Sequence, residues 1–286
     1  MKEILTEVAL SDGSANKFTI FAHQENTSAP VFVLFPAMGT PASYYNVFAQ
    51  ELARQGVIVI TADLRGIGHS SVRPKRGSDF GFREMIELDY KGILDKIHSL
   101  YPDNKKFIIG HSLGGILGSL YSSRFPGTID GLILVAAVNI HYKGWSGASK
   151  WGLLVSTQFF RILASVAGYF PGDIVGFGGR GARTVIKDWS YTAQTGRYRV
   201  SNSRHDYEQK LKDVILPILA ISFSADTYAP KRAVEKLLSK FHPASKIKHI
   251  HLTHISGSHK KYSHYNWVKN NAEVISIIRA WAESIK

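Results

Sequence analysis

The sequence predicts a parallel, doubly wound α/β sheet into which one segment is inserted as a cap. Three observations lead to this prediction: short apolar strands recur, segments with helical spacing separate them, and the alternation stops once before it resumes. Strands that are apolar throughout are typical of a parallel sheet that helices cover on both faces. We therefore expect a core domain formed by residues 1–138 and 213–286 and a cap formed by residues 139–212.

The first part of the core alternates between strands and helices. Two segments of alternating polarity, Ile4–Leu10 and Lys17–His23, flank a Ser-Asp-Gly-Ser turn and predict a hairpin. Apolar runs predict four strands, at Val31–Phe35, Gly56–Ala62, Phe107–Gly110 and Gly131–Ala136. Helical spacing predicts helices at Tyr44–Gln55, at Phe82–Leu100 and from the end of the third of these strands to about Arg124.

The second part of the chain contains the interruption. From about Asn139 to Asp213 the chain is aromatic and glycine-rich and shows no clear strand, so we assign it to a cap over the carboxyl edge of the sheet. The alternation then resumes, with strands predicted at Pro217–Ser222 and Ile247–Leu252 and helices at Lys231–Lys240 and near Asn266–Ser284. Connections between such parallel strands are right-handed crossovers.

Composition limits the classes of protein to consider. Apolar residues at 44% and charged residues at 20% describe an ordinary globular chain of 286 residues. The absence of cysteine excludes disulfides, a thiol nucleophile and a cysteine-based zinc site. The N-terminus lacks the apolar region and cleavage site of a signal peptide, which together with the lack of cysteine favours a cytoplasmic location.

The formal net charge of +13 is the unusual global feature. A solvated basic surface is the interpretation we favour, because no nucleic-acid motif accompanies the charge, although a weak attraction to anionic surfaces stays open. The most apolar window, residues 151–170, is interrupted by Gln158 and Arg161, which argues against a membrane span. Nothing in the sequence predicts an oligomeric state.

A serine between glycines follows the predicted strand Phe107–Gly110. The segment Gly110-His111-Ser112-Leu113-Gly114-Gly115 reads as a strand, a sharp turn and the start of a helix. Glycines on both sides keep Cβ atoms out of the crowded bend, and the turn exposes the serine hydroxyl. The sequence therefore predicts that Ser112 is a nucleophile, although so short a motif needs support from its context.

A serine nucleophile needs a base and an acid that orients the base. Asp226 follows the strand Pro217–Ser222, and His259 follows the strand Ile247–Leu252, in the order Ser, Asp, His. His254 is the alternative base, because it comes directly after the same strand; His259 is preferred because it follows a glycine in a flexible loop.

Two backbone N–H groups should form the oxyanion hole of this predicted site. Leu113 directly follows the serine at a helix N-terminus, where spare N–H groups favour an anion. The second N–H group should come from the loop after Val31–Phe35, where Met38 is the candidate.

These motifs resemble those of the α/β-hydrolase superfamily along nearly the whole chain. Residues 110–115 match its nucleophile elbow, residues 63–70 its loop after the fourth strand and residues 226–230 its acid turn. The chain is most similar to bacterial predicted hydrolases that carry Pro-Ala-Met-Gly in the oxyanion loop, related to serine-aminopeptidase-like and monoacylglycerol-lipase-like members. The Pro36–Gly39 segment replaces the His-Gly-x-Gly of many relatives, and the cap matches no subfamily.

The resemblance implies a serine hydrolase that uses no cofactor or metal and acts on a small-molecule ester, thioester or related acyl bond. An acyltransferase with the same triad and a non-catalytic binding protein on the same scaffold are the alternatives. Aromatic residues of the cap would line an acyl pocket or form the cap's own core, and its arginines would steer an anionic substrate or form a solvated face.

Several residues have competing interpretations. Asp226 also fits a helix N-cap, and Asp63 more plausibly braces its own loop than serves as the acid. His249, His251 and His254 have a spacing that suits metal ligands, but no carboxylate lies nearby in sequence. Residues 176–181 satisfy G-x-G-x-x-G without the strand that a dinucleotide site requires.

Overall fold

The centre of the protein is a mostly parallel β-sheet. The computed structural model describes residues 2–22 and 28–285. In chain order, the strands of this described part are β1 (Lys2–Ala9), β2 (Ala15–Ala22), β3 (Val31–Phe35), β4 (Ile58–Ala62), β5 (Lys106–His111), β6 (Gly131–Val135), β7 (Tyr169–Pro171), β8 (Arg180–Ala182), β9 (Ile218–Phe223) and β10 (Ile247–Leu252). All but β7 and β8 join one sheet, in the order β1-β2-β4-β3-β5-β6-β9-β10.

Strand direction and burial confirm the predicted fold class. Strands β3, β4, β5, β6, β9 and β10 run parallel, and the hairpin of β1 and β2 adds antiparallel strands at one edge. Every residue of β3, β4 and β6 is buried, which requires cover on both faces of the sheet. The predicted hairpin is confirmed as far as Ala22, and His23 lies outside the described residues.

The helices outside residues 139–212 agree with the predicted segments, whereas the sequence predicts no helix inside that range. The helices of the described residues are α1 (Asn46–Arg54), α2 (Phe82–Glu84), α3 (Lys91–Leu100), α4 (Leu113–Arg124), α5 (Ser149–Ala167), α6 (Gly172–Val175), α7 (Arg183–Thr195), α8 (Tyr207–Lys210), α9 (Lys231–Leu238) and α10 (Ala272–Glu283). A π-helical turn, Met85–Tyr90, joins α2 to α3, so the predicted helix Phe82–Leu100 is continuous. Single 3₁₀ turns lie at Ala42–Tyr45, Tyr142–Gly144, Leu211–Asp213 and Asn266–Val268.

The cap segment, by which we mean residues 139–212, connects β6 to β9. It contains α5, the two-stranded ribbon of β7 and β8, and α7, which packs against α5. The expectation that this segment has no strand was wrong, because strands of three residues are too short to show an alternating pattern. The domain boundaries themselves stay a prediction. Within the described residues, every helix falls short of the length and apolar character needed to cross a bilayer.

Trp267 anchors the segment between β10 and α10 in the core. Its side chain is fully buried, and its ring packs edge-on against Phe48 and His111 at centroid distances of 5.1 and 5.3 Å. It also stacks on Phe223 at the end of β9. An indole in these contacts ties three parts of the core together, since aromatic rings of this size bury a large apolar surface.

Replacement of this indole should be far more costly than replacement of an exposed one. We expect Trp267→Ala to lower the free energy of unfolding by about 3–5 kcal/mol, because it leaves a large cavity. Trp151→Ala removes an indole that is 54% exposed, and it should cost less than about 1 kcal/mol. Urea denaturation of both variants measures the difference; equal losses would contradict this account of the core.

Candidate active site

Ser112 lies at the turn between β5 and α4 and has a strained backbone. Its φ is +52° and its ψ is −115°, a conformation that non-glycine residues adopt at a cost. The Ser112 N–H donates to the carbonyl of Val135 at 3.0 Å, which holds the turn against the neighbouring strand. Such strain persists only where the surrounding structure imposes it.

The flanking glycines are required by close backbone contacts. A Cβ at Gly110 would lie 2.3 Å from the Cα of Gly115, and a Cβ at Gly114 would lie 2.3 Å from the carbonyl oxygen of Phe35. The N–H of Gly114 also donates to the Pro36 carbonyl at 3.1 Å. The elbow is therefore packed directly against the end of β3, as a strand–turn–helix motif of this kind requires.

Asp226 and His264 form a buried hydrogen-bonded pair. The Nδ1 atom of His264 lies 2.8 Å from Oδ2 of Asp226, and both side chains are almost fully buried. The other oxygen, Oδ1, accepts hydrogen bonds from the N–H groups of Tyr228 and Ala229. Asp226 is not the N-cap of α9, which is Pro230. One of its oxygens closes a local turn, and the other holds the imidazole of His264.

The histidine beside Asp226 is not the one chosen from sequence. His259 was preferred and His254 was the alternative, yet both lie exposed on the surface. After β10 the chain leaves the sheet in a narrow hairpin, in which His254 pairs with Lys261 and the N–H of Ile255 donates to Lys260. His259 is at the far end of this excursion, so it cannot orient toward a carboxylate at the edge of the sheet.

His264 reaches the site because the hairpin brings the chain back. The N–H of Tyr262 donates to the Thr253 carbonyl, and the N–H of Ala225 donates to the carbonyl of Tyr262. This second contact places the returning chain beside the turn that carries Asp226. A sequence signal was present, since His264 also follows the last strand and lies between two tyrosines close to Trp267, but loop position alone did not separate it from its neighbours.

The two candidate oxyanion donors line the same cavity as Ser112. Leu113 is the first residue of α4, and Met38 lies in the loop after β3. Within the described part of the chain, no backbone carbonyl accepts a hydrogen bond from either N–H group. Two backbone donors without acceptors, one of them at a helix N-terminus, suit a developing negative charge.

A buried tyrosine and a buried histidine, which the sequence pattern did not single out, pack beside the loop after β3 and the turn at Ser112. The hydroxyl of Tyr45 accepts from the N–H of Ala37 in the loop after β3 and lies 2.6 Å from Nδ1 of His111. The ring of His111 packs against His264 with centroids 4.7 Å apart. Burial, together with the nearby His264, lowers the pKa of His111 well below its usual range, so His111 is neutral.

The cavity beside Ser112 has a volume of about 550 Å³ and an apolar lining. Ser112, His264, Tyr228 and Tyr265 are among its few polar side chains. The cap contributes Trp145, Leu153, Phe160, Phe177 and Trp189, whereas Trp151 and Phe159 are exposed outside it. No Asp, Glu, Lys or Arg is among the described residues of the lining, so the arginines of the cap segment do not reach it.

The remaining sequence candidates lie elsewhere. Asp63 accepts hydrogen bonds from the N–H groups of Ala42 and His69, so it braces its own loop as expected. His249 and His251 each place a ring nitrogen 2.8 Å from the Ser222 hydroxyl, which occupies the space between them. Residues 176–181 form the connection from α6 and the first two residues of β8, and Gly178 contacts the loop after β3.

Comparisons with known proteins agree with this architecture. Residues 26–169 match the family described as serine aminopeptidase, S33. A monoacylglycerol lipase from Mycolicibacterium smegmatis is 30% identical over 114 residues, which cover 39% of this chain and 39% of the relative. The 1-acylglycerol-3-phosphate O-acyltransferase ABHD5 of Rattus norvegicus is 29% identical over 128 residues, covering 45% of this chain and 35% of the relative.

The fold itself has solved counterparts. The crystal structure of a hydrolase from Pseudomonas aeruginosa PA01 superimposes with a TM-score of 0.60 at 19% identity and covers 97% of this chain and 98% of that one. The chain spans little more than a third of the length of the curated relatives named above. These likenesses confirm the fold class, and they also fit the predicted resemblance.

Gly39, next to Met38, provides a test of how tightly the loop after β3 is packed. Its φ is +73°, and a Cβ there would lie 2.2 Å from the carbonyl oxygen of Gly178 in the cap segment. Gly13 has a similar φ of +79° with nothing within 4 Å of its Cβ position. Both Gly→Ala changes carry the strain of a positive φ, about 1–2 kcal/mol, but only that at Gly39 forces two backbones apart.

We expect Gly39→Ala to lower the free energy of unfolding by at least about 2 kcal/mol more than Gly13→Ala does. Thermal or urea denaturation of the two variants measures this difference. Equal destabilisation would show that the cap segment does not constrain the loop after β3.

Proposed function

Because the chain belongs to the serine aminopeptidase S33 family of the α/β-hydrolase superfamily, we propose that it is a serine hydrolase for carboxylic esters or related acyl bonds. One observation carries the proposal: His264, hydrogen-bonded to the buried Asp226, lines the same cavity as Ser112 at its strained turn. A nucleophile, a base and an acid that orients the base are the three groups that such a reaction needs.

In this mechanism the hydroxyl of Ser112 attacks the carbonyl carbon of the substrate. His264 takes the hydroxyl proton on Nε2, while Asp226 holds the Nδ1–H and stabilises the imidazolium without taking the proton. The N–H groups of Leu113 and Met38 bind the oxyanion of the tetrahedral intermediate. His264 then protonates the leaving group, and water attacks the acyl-enzyme by the same steps in reverse order.

Burial supports the assignment of His264 as the base, in addition to the 2.8 Å distance between its Nδ1 atom and Oδ2 of Asp226. His264 is hydrogen-bonded to a fully buried carboxylate, and its ring contacts His111 and Tyr265. An imidazole packed between other rings keeps one orientation, which a base on an exposed hairpin does not. Since His111 is neutral, it adds no positive charge that would oppose protonation of His264.

Histidine replacements distinguish this base from the two that the sequence suggested. We expect His264→Ala to lower kcat/KM for a p-nitrophenyl ester by at least about 10⁴, because removal of the base from a triad disables the nucleophile as well. His259→Ala and His254→Ala change exposed side chains and should leave kcat/KM within about two-fold. Loss of activity in either of these controls, with His264→Ala active, would overturn the assignment.

Labelling of Ser112 tests the nucleophile directly. A fluorophosphonate probe should label the wild-type protein and should not label Ser112→Ala, with intact-mass spectrometry as the readout. Equal labelling of both would exclude the mechanism, and no labelling of the wild type would favour a non-catalytic binding protein.

An added alcohol acceptor distinguishes acyl transfer from hydrolysis, because a transferase forms the new ester in preference to the free acid.

The lining of the cavity supports an uncharged, apolar acyl group as substrate. We expect p-nitrophenyl octanoate to be preferred over the hemisuccinate by at least about ten-fold in kcat/KM, since a buried carboxylate would lose its hydration without a partner. Leu153→Lys places a cation in this lining that can pair with the carboxylate of the hemisuccinate, so it should reverse much of the preference. Val155→Lys, on the exposed side of the same helix, is the matched control.

A further inference from the structure

Helix α5 carries a stripe of large apolar side chains on its outer surface. The exposed fractions of these residues run from 54% to 73%, and they are Trp151, Val155, Phe159, Ile162 and Val166. Their spacing along the helix is four, four, three and four residues, which places all of them on one face. A surface helix of a globular protein normally turns such a face toward the core, so this stripe calls for a partner.

The opposite side of the same helix belongs to the catalytic cavity. Leu153, Ser156 and Phe160 line that cavity, and Ala164 is buried in the small core of the cap segment. The helix is therefore apolar toward the inside and also toward the outside. Packing of the cap segment accounts for the inner face, whereas every side chain of the outer stripe stays more than half exposed.

The charges around the stripe are positive at both of its ends. Helix α5 contains no Asp or Glu, and Lys150 lies over the ring of Trp151 at the start of the stripe. At the other end, the guanidinium of Arg76 donates to the carbonyl of Val166, next to the exposed Lys75. In the part of the chain that the structure describes, none of these three cations pairs with a carboxylate.

The cap segment as a whole also carries an excess of positive charge. It carries eleven Lys and Arg residues against four Asp and Glu residues, whereas the entire chain carries 35 against 22. An apolar stripe with unpaired cations at its ends matches a surface that is apolar inside and negatively charged at its boundary. That description fits an anionic lipid bilayer.

We propose that the outer stripe of α5 docks onto an anionic lipid surface, with the five apolar side chains in the interfacial region and the cations at the headgroups. The helix lies in the plane of the surface, which agrees with the absence of a membrane-spanning helix within the described residues. A second copy of the chain is a poorer partner, because two such stripes would bring like charges together. Docking does not depend on the proposed reaction.

Vesicle binding by the full chain tests the proposal. We expect the protein to sediment with vesicles of equimolar phosphatidylcholine and phosphatidylglycerol, and much less with vesicles of phosphatidylcholine alone. The double variant Val155→Ser, Ile162→Ser should bind the anionic vesicles at least about ten-fold more weakly, since two apolar side chains no longer enter the interface. Ser112→Ala should bind as the wild type does.

The matched control changes two equally exposed apolar residues elsewhere. Val47 is 57% exposed and Ile215 is 65% exposed, close to the 67% of Val155 and the 63% of Ile162. The variant Val47→Ser, Ile215→Ser should keep wild-type binding, and circular dichroism should show all variants folded. Equal loss in the two double variants, equal binding to neutral vesicles, or no binding by the wild type would each overturn the proposal.

A dimer would also overturn it. If sedimentation velocity shows a wild-type dimer that the stripe variant converts to a monomer, and vesicles do not bind, a second copy of the chain occupies the stripe. Raised salt gives an independent check, because binding that depends on Lys150, Arg76 and Lys75 should weaken as the ionic strength increases.

Discussion

The contact between the turn at Ser112 and the end of β3 determines how the rest of the candidate site is arranged. At this contact, Cβ atoms at Gly110 and Gly114 would collide with backbone atoms of Gly115 and Phe35. The same approach sets the direction of Ser112 and brings the start of α4 beside the loop that carries Met38. Ser112, Leu113 and Met38 therefore line one cavity, because three backbone segments meet without side chains between them.

His264 and Asp226 belong to the other half of the sheet. They come from turns after β9 and β10, so the groups proposed for catalysis lie on four different loops at the carboxyl edge of parallel strands. Aromatic packing joins these loops: Tyr45, His111 and Trp267 link the loop after β3, the turn at Ser112 and the chain segment after His264. Rigid elements thus hold the position of groups that are themselves on loops.

The cap segment separates two environments that differ in charge. Inside, the cavity is lined by apolar and uncharged polar residues together with His264, which suits the acyl part of a substrate. Outside, the cap segment carries much of the excess positive charge of the chain. Helix α5 forms part of both surfaces. The positive charge of the protein therefore affects which partners its outer surface attracts. The substrate selectivity that we propose for the cavity does not depend on this charge.

Short-range patterns in the sequence were sufficient for the fold class, for the turn at Ser112 and for the turn at Asp226. Strand periodicity, glycine spacing and chain order depend on neighbouring residues and on topological rules that hold for most parallel sheets. The choice of histidine depended on something else. His254, His259 and His264 all follow β10, and only the hairpin between them decides which one returns to Asp226.

The outer stripe of α5 shows the same limit on what can be predicted from sequence alone. The sequence shows that its residues are aromatic and aliphatic, but whether they line the cavity, fill the core of the cap segment or face outward depends on how the helix is rotated against α7 and β7. The sequence by itself determined which elements of the core form and in what order. Tertiary structure decided which side chains meet, because contacts between distant segments depend on the path of the loops and the packing of the helices.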